Sequence, residues 1–260
     1  MMSSTASTKN TVRNEKALRI GVVGAGVMGT NHARVLAGLP GVELVGIVDP
    51  LPAHRTRAVE IVGCPTFATL EEMLDTGPDA VTIAAPTHLH RDVALACIAR
   101  KIHVLVEKPI ASSVEEGNEI VTAARNAGVT LMVGHVERFN PAVAAIKQAI
   151  KDEEILSIAI TRVGPFPPRM SIVGVVSDLA VHDIDLIRWF TESDIVDVQP
   201  QLASAVAERE DIALLQFRTA SGVLAHINTN WLTPFKARSV TVATRGKYVQ
   251  GDLLTRQVTE

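Results

Sequence analysis

The sequence predicts an α/β protein of two domains, the first on a doubly wound parallel sheet and the second on an open, mostly antiparallel sheet. The chain has 260 residues, which is long for one doubly wound unit. Hydrophobic residues make up 47% and aromatic residues only 3%, so small aliphatic side chains must fill the core, as buried parallel strands favour. Apolar runs alternate with helical patterns up to about Gly134, and strand-like runs dominate after it.

In the first part of the chain, each predicted strand is followed by a helical pattern. Strand Leu18–Val23 ends at a glycine turn, and the helix after it ends at Gly38. Ser113 and Glu116 form a capping-box pattern before a later helix. The other predicted strands are Val42–Val48, Ala80–Ala84, His103–Val106 and Val129–Val133, and the helices are Val27–Ala37, Ala53–Val62, Leu70–Leu74, Leu89–Arg100 and Val114–Asn126.

In the second part, strands joined by short turns indicate a mostly antiparallel sheet. Ala220-Ser221-Gly222 predicts a hairpin turn. We expect a disordered tail over residues 1–17, a first domain over 18–137 and a second over 138–260. The predicted helices are Pro141–Lys151 and Asp178–Phe190, and the strands are Ile155–Val163, Val196–Ala207, Ile212–Thr219, Val223–Trp231, Ser239–Thr244 and one near Tyr248.

Charge, cysteine usage and hydropathy argue against several classes of protein. The formal net charge is −3 and no basic block is present, which argues against nucleic-acid binding. Cys64 and Cys97 lack a CxxC spacing, so we expect two reduced thiols in a cytoplasmic protein and no metal site. Apolar runs stay below the roughly 18 residues of a membrane span, and the first residues lack a signal peptide's apolar core.

Residues 24–29 form a GxGxxG motif in the context of a strand, a turn and a helix, which is typical of dinucleotide binding. Gly24 would allow the tight turn, Gly26 the approach of a pyrophosphate, and Gly29 close packing of helix and strand. Backbone N–H groups at Val27 and Met28, at the helix N-terminus, would face the phosphates. The alternative is a glycine turn without a ligand.

Asp49 ends the second predicted strand, where a carboxylate can accept hydrogen bonds from the ribose hydroxyls of NAD. The same carboxylate would repel the 2′-phosphate of NADP, so NAD is the expected cofactor and NADP the less favoured one. Arg55 and Arg57 follow and could offset that repulsion. Asp49 could instead be a turn residue before Pro50.

Three further side chains have the chemistry of alcohol oxidation. Lys108 follows strand His103–Val106, and ligands of open parallel sheets bind beyond the carboxyl ends of strands. Asp178 and His182 are four residues apart on a predicted helix and share one face. A neutral histidine can accept a hydroxyl proton, and a lysine can stabilise alkoxide charge. The alternatives are a poor two-ligand metal site, which we set aside, and a helix-capping pair.

These motifs, in this order, resemble the Gfo/Idh/MocA oxidoreductase family over about residues 18–248. The resemblance implies a Rossmann domain, an open-sheet domain for substrate and oligomerisation, and an active site at their junction. It also implies a cis Lys108–Pro109 bond, a catalytic set of Lys108, Asp178 and His182, and a homodimer or homotetramer. Family chains usually run several tens of residues further, so we expect this chain to be truncated. The implied cofactor contacts from the other motifs are Pro86, Thr87, His90 and Glu107.

Two segments narrow the resemblance to family members that act on sugar nucleotides. They are residues 134–141 and the stretch from Arg162 into the Asp178 helix. The implied reaction is NAD-dependent oxidation of the C3 hydroxyl of UDP-N-acetylglucosamine to the 3-keto sugar nucleotide. Arg138, Asn140, Arg162 and Arg169 are then candidate substrate contacts, with Asp178 and His182. Each arginine could instead be an ordinary solvated or ion-paired residue.

Three other functions stay open from the sequence. A relative could oxidise a free cyclitol or aldose, and substrate profiling would separate it from a sugar-nucleotide enzyme. An NAD-dependent glycosidase would release free sugar from a glycoside. A non-catalytic NAD-binding regulator would have no need for Lys108, Asp178 and His182 together.

Overall fold

The computed structural model describes residues 16–166 and 173–260, so the predicted tail falls almost wholly outside the described residues. The chain forms two compact units that divide between Gly134 and His135. Within the described ranges, no helix is both long and apolar enough to cross a bilayer. Cys64 and Cys97 are free thiols, and burial raises the pKa of Cys97 to about 12.

A six-stranded sheet, parallel throughout, forms the first unit and confirms the predicted doubly wound architecture. Its strands are β1 (Leu18–Val23), β2 (Val42–Val48), β3 (Thr66–Phe67), β4 (Ala80–Ile83), β5 (His103–Val106) and β6 (Leu131–Val133). Its helices are α1 (Val27–Ala37), α2 (Pro52–Val62), α3 (Leu70–Leu74), α4 (His90–Ala99) and α5 (Val114–Ala127). The order β3-β2-β1-β4-β5-β6 reverses direction between β1 and β4, where such sheets bind their ligands.

Successive side chains of a strand point to opposite sides of the sheet, so each strand contributes to a buried core on either face. Val22 of β1 packs in one core with Ala33 and Ile47, whereas Val23 packs in the other core with Ile83. This alternation explains why β1, β2 and β4 are continuous apolar runs in the sequence. The two-residue β3 is too short to leave such a run and was not predicted.

The second unit contains a seven-stranded mixed sheet in the order β13-β12-β11-β7-β10-β9-β8. Only the β7–β10 pair is parallel, so the predicted mostly antiparallel sheet is confirmed. The strands are β7 (Ile155–Val163), β8 (Ile195–Ala203), β9 (Ile212–Thr219), β10 (Leu224–Asn230), β11 (Ala237–Thr244), β12 (Tyr248–Asp252) and β13 (Gln257–Thr259). The helices are α6 (Pro141–Ala149) and α7 (Val181–Thr191), the latter preceded by a π-helical turn at Val176–Ala180.

One boundary differs from prediction for a visible reason. Strand β8 ends at Ala203, whereas the apolar pattern predicted a strand up to Ala207. The carboxylate of Asp211 accepts hydrogen bonds from the backbone N–H groups of Ala205, Val206 and Ala207. Those donors are therefore withdrawn from the sheet, and the chain turns.

Helices α6 and α7 cover one face of the second sheet. Ile146 of α6 and Leu186 of α7 share a buried core with Ile160, Phe217 and Val240. The apolar residues of β9 divide between the two faces of the sheet. Leu214 is 50% exposed whereas Phe217 is 6% exposed, because residues three apart in a strand point to opposite faces.

Candidate functional site

The glycine turn between β1 and α1 has the geometry that a dinucleotide requires. Gly24 has a φ of +97°, and a Cβ there would lie 2.6 Å from the carbonyl oxygen of Ala84 after β4. A Cβ on Gly29 would overlap the carbonyl oxygen of Gly24. At Gly26, by contrast, a Cβ would meet nothing within 4 Å. Gly24 and Gly29 are thus required by the turn itself, and the backbone at Gly26 borders open space.

The N-terminus of helix α1 lies at that open space. Gly26 is its N-cap and provides no side-chain hydrogen bond to the first turn, in which Val27 and Met28 are exposed. Beside it lies a cavity of about 340 Å³ lined by Gly26, Thr30, Arg34, His54 and Arg57, among others. Free N–H groups with a partial positive charge, next to basic side chains, form an environment for phosphates.

Asp49, after β2, is 7% exposed and points at the glycine turn. Its Oδ2 accepts a hydrogen bond from the backbone N–H of Ala25 at 2.9 Å, and Oδ1 accepts one from Leu51 N–H at 2.9 Å. Burial tends to raise the pKa of this carboxyl, but those N–H groups and His54 outweigh burial and hold it below the ordinary value. Asp49 is therefore both a turn residue and an anionic group beside the glycine turn, a combination that fits NAD.

Glu107 and Lys108 follow β5, and the Lys108–Pro109 bond is cis, as expected. Oε1 of Glu107 lies 2.7 Å from Nε2 of His32 on α1, and Oε2 accepts a hydrogen bond from the backbone N–H of Lys108 at 3.2 Å. Burial tends to raise the pKa of Glu107, but His32 and Lys108 outweigh burial and lower it. His32 was not predicted, because no sequence pattern links one histidine of α1 to a strand 75 residues away.

The side chain of His90 lies inside the fold. It is 1% exposed, and each ring nitrogen lies beside a backbone carbonyl: Nδ1 is 2.9 Å from Pro109 O and Nε2 is 2.8 Å from Ala85 O. Because both nitrogens are engaged there, this geometry argues against the cofactor contact that was expected of the side chain. Pro86 is exposed and Thr87 half-buried at the same turn, and their cofactor contacts stay a prediction.

Asp178 and His182, in the second unit, lie on the π-helical turn and in the first turn of α7. The N–H of Asp178 donates to Gly174 O at 3.1 Å, and His182 is half-buried. Burial tends to raise the pKa of Glu137, but the charges of Arg162, Arg238 and His182 lower it. Glu137 is thus an unpredicted anionic neighbour of His182, and π-helical turns often occur at functional sites.

Arg138 and Arg162 are the ion-paired arginines that the sequence analysis left as an alternative. Arg138 donates to both oxygens of Asp185, with Nε at 2.8 Å, and its guanidinium lies 4.5 Å from the centre of the Trp189 ring. Arg162 is 2% exposed and donates to Asp183 through Nε and Nη2. Because this buried guanidinium donates to Asp183 and to Glu137, the geometry argues against the substrate contact predicted for Arg162.

Asn140 has a structural position as well. Its Oδ1 caps α6 by accepting from the N–H of Ala142 at 3.0 Å, and its Nδ2 donates to Leu253 O at 3.0 Å. Both ends of the side-chain amide are used, which argues against a substrate contact. Arg169 lies outside the described residues. Among the residues that are described, no cluster of three or more His, Cys, Asp or Glu side chains could hold a metal ion.

Comparisons with known proteins agree with this fold. Residues 18–135 match the model of an oxidoreductase family with an NAD-binding Rossmann fold, and residues 145–249 match the GFO/IDH/MocA C-terminal domain. UDP-N-acetylglucosamine 3-dehydrogenase from Acidithiobacillus ferrooxidans is 28% identical over 91% of this chain and 74% of its own length. Inositol 2-dehydrogenase from Arthrobacter sp. (strain FB24) is 35% identical over 82% of this chain and 66% of its own length.

Solved structures of similar proteins have the same fold. The crystallised UDP-N-acetylglucosamine 3-dehydrogenase GnnA from A. ferrooxidans superposes with a TM-score of 0.87, covering 92% of this chain and 78% of that one. The WlbA dehydrogenase from Bordetella pertussis, in complex with NADH and UDP-GlcNAcA, superposes with a TM-score of 0.85 at 26% identity, covering 95% of this chain and 77% of that one. The chain thus spans about two thirds to three quarters of the length of these relatives.

Proposed function

Because the chain belongs to the GFO/IDH/MocA oxidoreductase family, we propose that it is an NAD-dependent dehydrogenase that oxidises a secondary alcohol of a sugar. The observation that carries the proposal is the glycine turn with Asp49. The turn leaves open space at Gly26 beside a free helix N-terminus, and the Asp49 carboxylate is held ionised next to it. A packed turn without a ligand would have no need for that space.

The proposed cofactor contacts divide by chemistry. Backbone N–H groups at Gly26, Val27 and Met28 would bind the pyrophosphate, and Asp49 would accept hydrogen bonds from ribose hydroxyls. Pro86, Thr87 and Glu107 complete the proposed set: the first two follow β4, where the strand order reverses, and Glu107 follows the neighbouring β5. When bound, NAD supplies the hydride acceptor that the reaction needs.

Oxidation of a secondary alcohol also releases a proton, which the protein must accept. We assign this step to Lys108 and His182. A neutral imidazole can take the proton directly, and a lysine can stabilise the alkoxide as it forms. Asp178 would orient the sugar or His182. Glu137 is a negatively charged neighbour of His182.

For the substrate, we propose UDP-N-acetylglucosamine, oxidised at C3 to the 3-keto sugar nucleotide. Support comes from the similarity to the A. ferrooxidans enzyme over nine tenths of this chain and from the TM-score of 0.87 to its structure. Phosphate recognition would then fall to Arg169 and to the exposed part of Arg138. Oxidation of a free cyclitol is the second candidate, because the inositol 2-dehydrogenase from Arthrobacter has the higher identity, 35%.

Substrate profiling tests the proposal. The full chain is incubated with NAD and, in separate reactions, UDP-N-acetylglucosamine, myo-inositol or glucose, and NADH formation is followed. We expect the highest kcat/KM with UDP-N-acetylglucosamine. Turnover of myo-inositol alone would favour the second candidate. NAD binding without turnover of any sugar would favour a regulator, and release of sugar from a glycoside a glycosidase.

Two variants test the catalytic assignment. Lys108→Met and His182→Ala should each lower kcat by about 10²–10⁴-fold, because each removes a group that handles the hydroxyl proton. Their affinity for NAD should change little. Arg245→Ala is a suitable control, since Arg245 pairs with Glu154 on the exposed surface. Near-normal turnover of a folded His182→Ala protein would make Asp178 and His182 a structural pair.

A further inference from the structure

His90 makes two hydrogen bonds that a neutral imidazole cannot make together. Its Nδ1 lies 2.9 Å from Pro109 O and its Nε2 lies 2.8 Å from Ala85 O. A carbonyl oxygen only accepts hydrogen bonds, whereas a neutral imidazole carries one N–H and one lone pair. In the neutral ring, one lone pair would face a carbonyl oxygen inside a site that is 1% exposed. The arrangement is satisfied only when both nitrogens carry protons.

We propose that His90 is held as an imidazolium and is a positioning residue for Lys108. The ring connects two turns that follow adjacent parallel strands: Ala85-Pro86 after β4 and Lys108-Pro109 after β5. Its two N–H groups fix the distance between these turns. The assignment of Lys108 as the reactive group rests on the proposed function, but the protonated state of His90 does not.

The backbone explains why a side chain is needed at this point. Strands β4 and β5 pair up to Ile83 and Val106, and the last connection between them is Glu107 N–H to Ile83 O at 2.9 Å. Beyond Glu107, Pro109 has no N–H to continue the ladder. His90 supplies donors where the ladder ends. His32 contacts Glu107, which precedes Lys108 in the chain, and His90 contacts Pro109, which follows it.

The charged side chains near His90 pair with one another, so the two carbonyl oxygens are the partners of His90. On α4, Arg91 pairs with Asp92 and with Glu119 of α5, and on the turn after β5, Glu107 pairs with His32. Within the described residues, no ion pair includes His90. The other ionisable groups on the elements around it are His88, Cys97 and Arg100 on the α4 segment, His103 and Lys108 on the β5 segment, and Glu115, Glu116 and Arg125 on α5.

Heteronuclear NMR of the histidine ring nitrogens tests the protonated state directly in the full chain. The His90 signals are assigned as those missing from His90→Gln, and the exposed His88 serves as an internal reference. We expect both ring nitrogens of His90 to carry protons at about pH 7, because each faces a carbonyl oxygen. A His90 ring with one unprotonated nitrogen under these conditions would overturn the proposal.

Kinetics then test the positioning role. A glutamine amide can donate to one of the two carbonyls, and alanine to neither, so we expect a graded loss of kcat from wild type through His90→Gln to His90→Ala. A displaced Lys108 should cost about tenfold to a hundredfold in kcat. His88→Gln is the matched control and should behave as wild type.

Equal kcat values in folded wild-type, His90→Gln and His90→Ala proteins would exclude a positioning role. If wild type turns over no sugar, the proposed function fails, while the NMR experiment still decides whether His90 is the doubly protonated link between the two turns.

Discussion

His32 and Glu107 form a hydrogen-bonded pair at 2.7 Å that joins helix α1 to the residue preceding Lys108. Both side chains are largely buried, at 25% and 13% exposure. The pair fixes Glu107, whose other oxygen accepts the N–H of Lys108. The position of the backbone at Lys108 thus depends on a histidine far away in sequence.

We predict that His32→Ala destabilises the protein by about 1.5–3 kcal/mol near neutral pH, the usual range for a hydrogen bond to a charged group. The lowered pKa of Glu107 in the folded state means that its contribution is present above its unfolded pKa, about 4.3, and is lost as the pH falls through the folded value. The stability difference between wild type and variant should therefore shrink in acid. Urea denaturation at several pH values measures it, with His88→Ala as control. A difference that grows on acidification would contradict the assignment.

The Gly26→Ala variant should weaken the binding of NAD while changing the free energy of unfolding little. The backbone at Gly26 has an ordinary φ of −68°, and a Cβ there meets nothing within 4 Å. We expect a change of at most about 1 kcal/mol in the free energy of unfolding. The methyl group would occupy the space proposed for the pyrophosphate, so the Kd of NAD should rise about tenfold or more. Calorimetry and urea denaturation of the same sample check both.

Gly24→Ala is the matched comparison. Its φ of +97° and the 2.6 Å approach of a Cβ to Ala84 O predict a clear loss of stability before any effect on the cofactor. If Gly26→Ala binds NAD as tightly as wild type, the open space at Gly26 has another use.

Asp49 should set the preference between NAD and NADP. Its pKa is lowered despite burial, so the carboxylate is ionised at neutral pH and repels a 2′-phosphate. We predict tighter binding of NAD, and a smaller preference in Asp49→Asn, which removes the charge and keeps the size. Calorimetric titration with both dinucleotides provides the comparison. Equal or tighter binding of NADP by wild type would shift attention to Arg55 and Arg57.

Removing one member of the Arg162–Asp183 pair should lower the free energy of unfolding more than replacing both members by apolar residues. Both side chains are buried, at 2% and 0% exposure. Arg162→Met alone leaves the buried Asp183 carboxylate without its partner and should cost about 3–5 kcal/mol. Asp183→Leu alone should cost less, because Arg162 still pairs with Glu137 at 3.0 Å. The double variant should recover much of this loss. An exposed pair, Arg245 with Glu154, should contribute less than about 1 kcal/mol. Additive losses in the double variant would disprove the coupling.

The open face of the second sheet predicts self-association. Leu214 and Leu224 are 50% and 54% exposed, and both strands carry mainly uncharged side chains on this face. Exposed apolar residues on a wide sheet favour pairing with a second copy. We expect a homodimer or homotetramer by light scattering of the full chain, and dissociation in Leu214→Glu. A wild-type monomer at micromolar concentration would refute this.

The sequence by itself determined the features that depend on local order along the chain. The apolar runs and glycine positions predicted β1, α1 and the parallel sheet, because a strand, a turn and a helix are specified by neighbouring residues. The change to hairpins after Gly134 predicted the second sheet for the same reason. The cis bond at Lys108 was implied by resemblance, and Asp49 was found from its spacing to the glycine motif.

Only the tertiary structure decided what each polar side chain contacts. Histidine and arginine often contact ligands, yet His90 and Arg162 are both buried. His90 contacts two backbone carbonyls, and Arg162 donates to Asp183. His32 and Glu137 gave no signal in the sequence, because their partners lie 75 and 25 residues away. A charged group has the same sequence signature whether it faces a ligand or a buried counterion. What distinguishes the two is the position of strands that meet only when the chain folds.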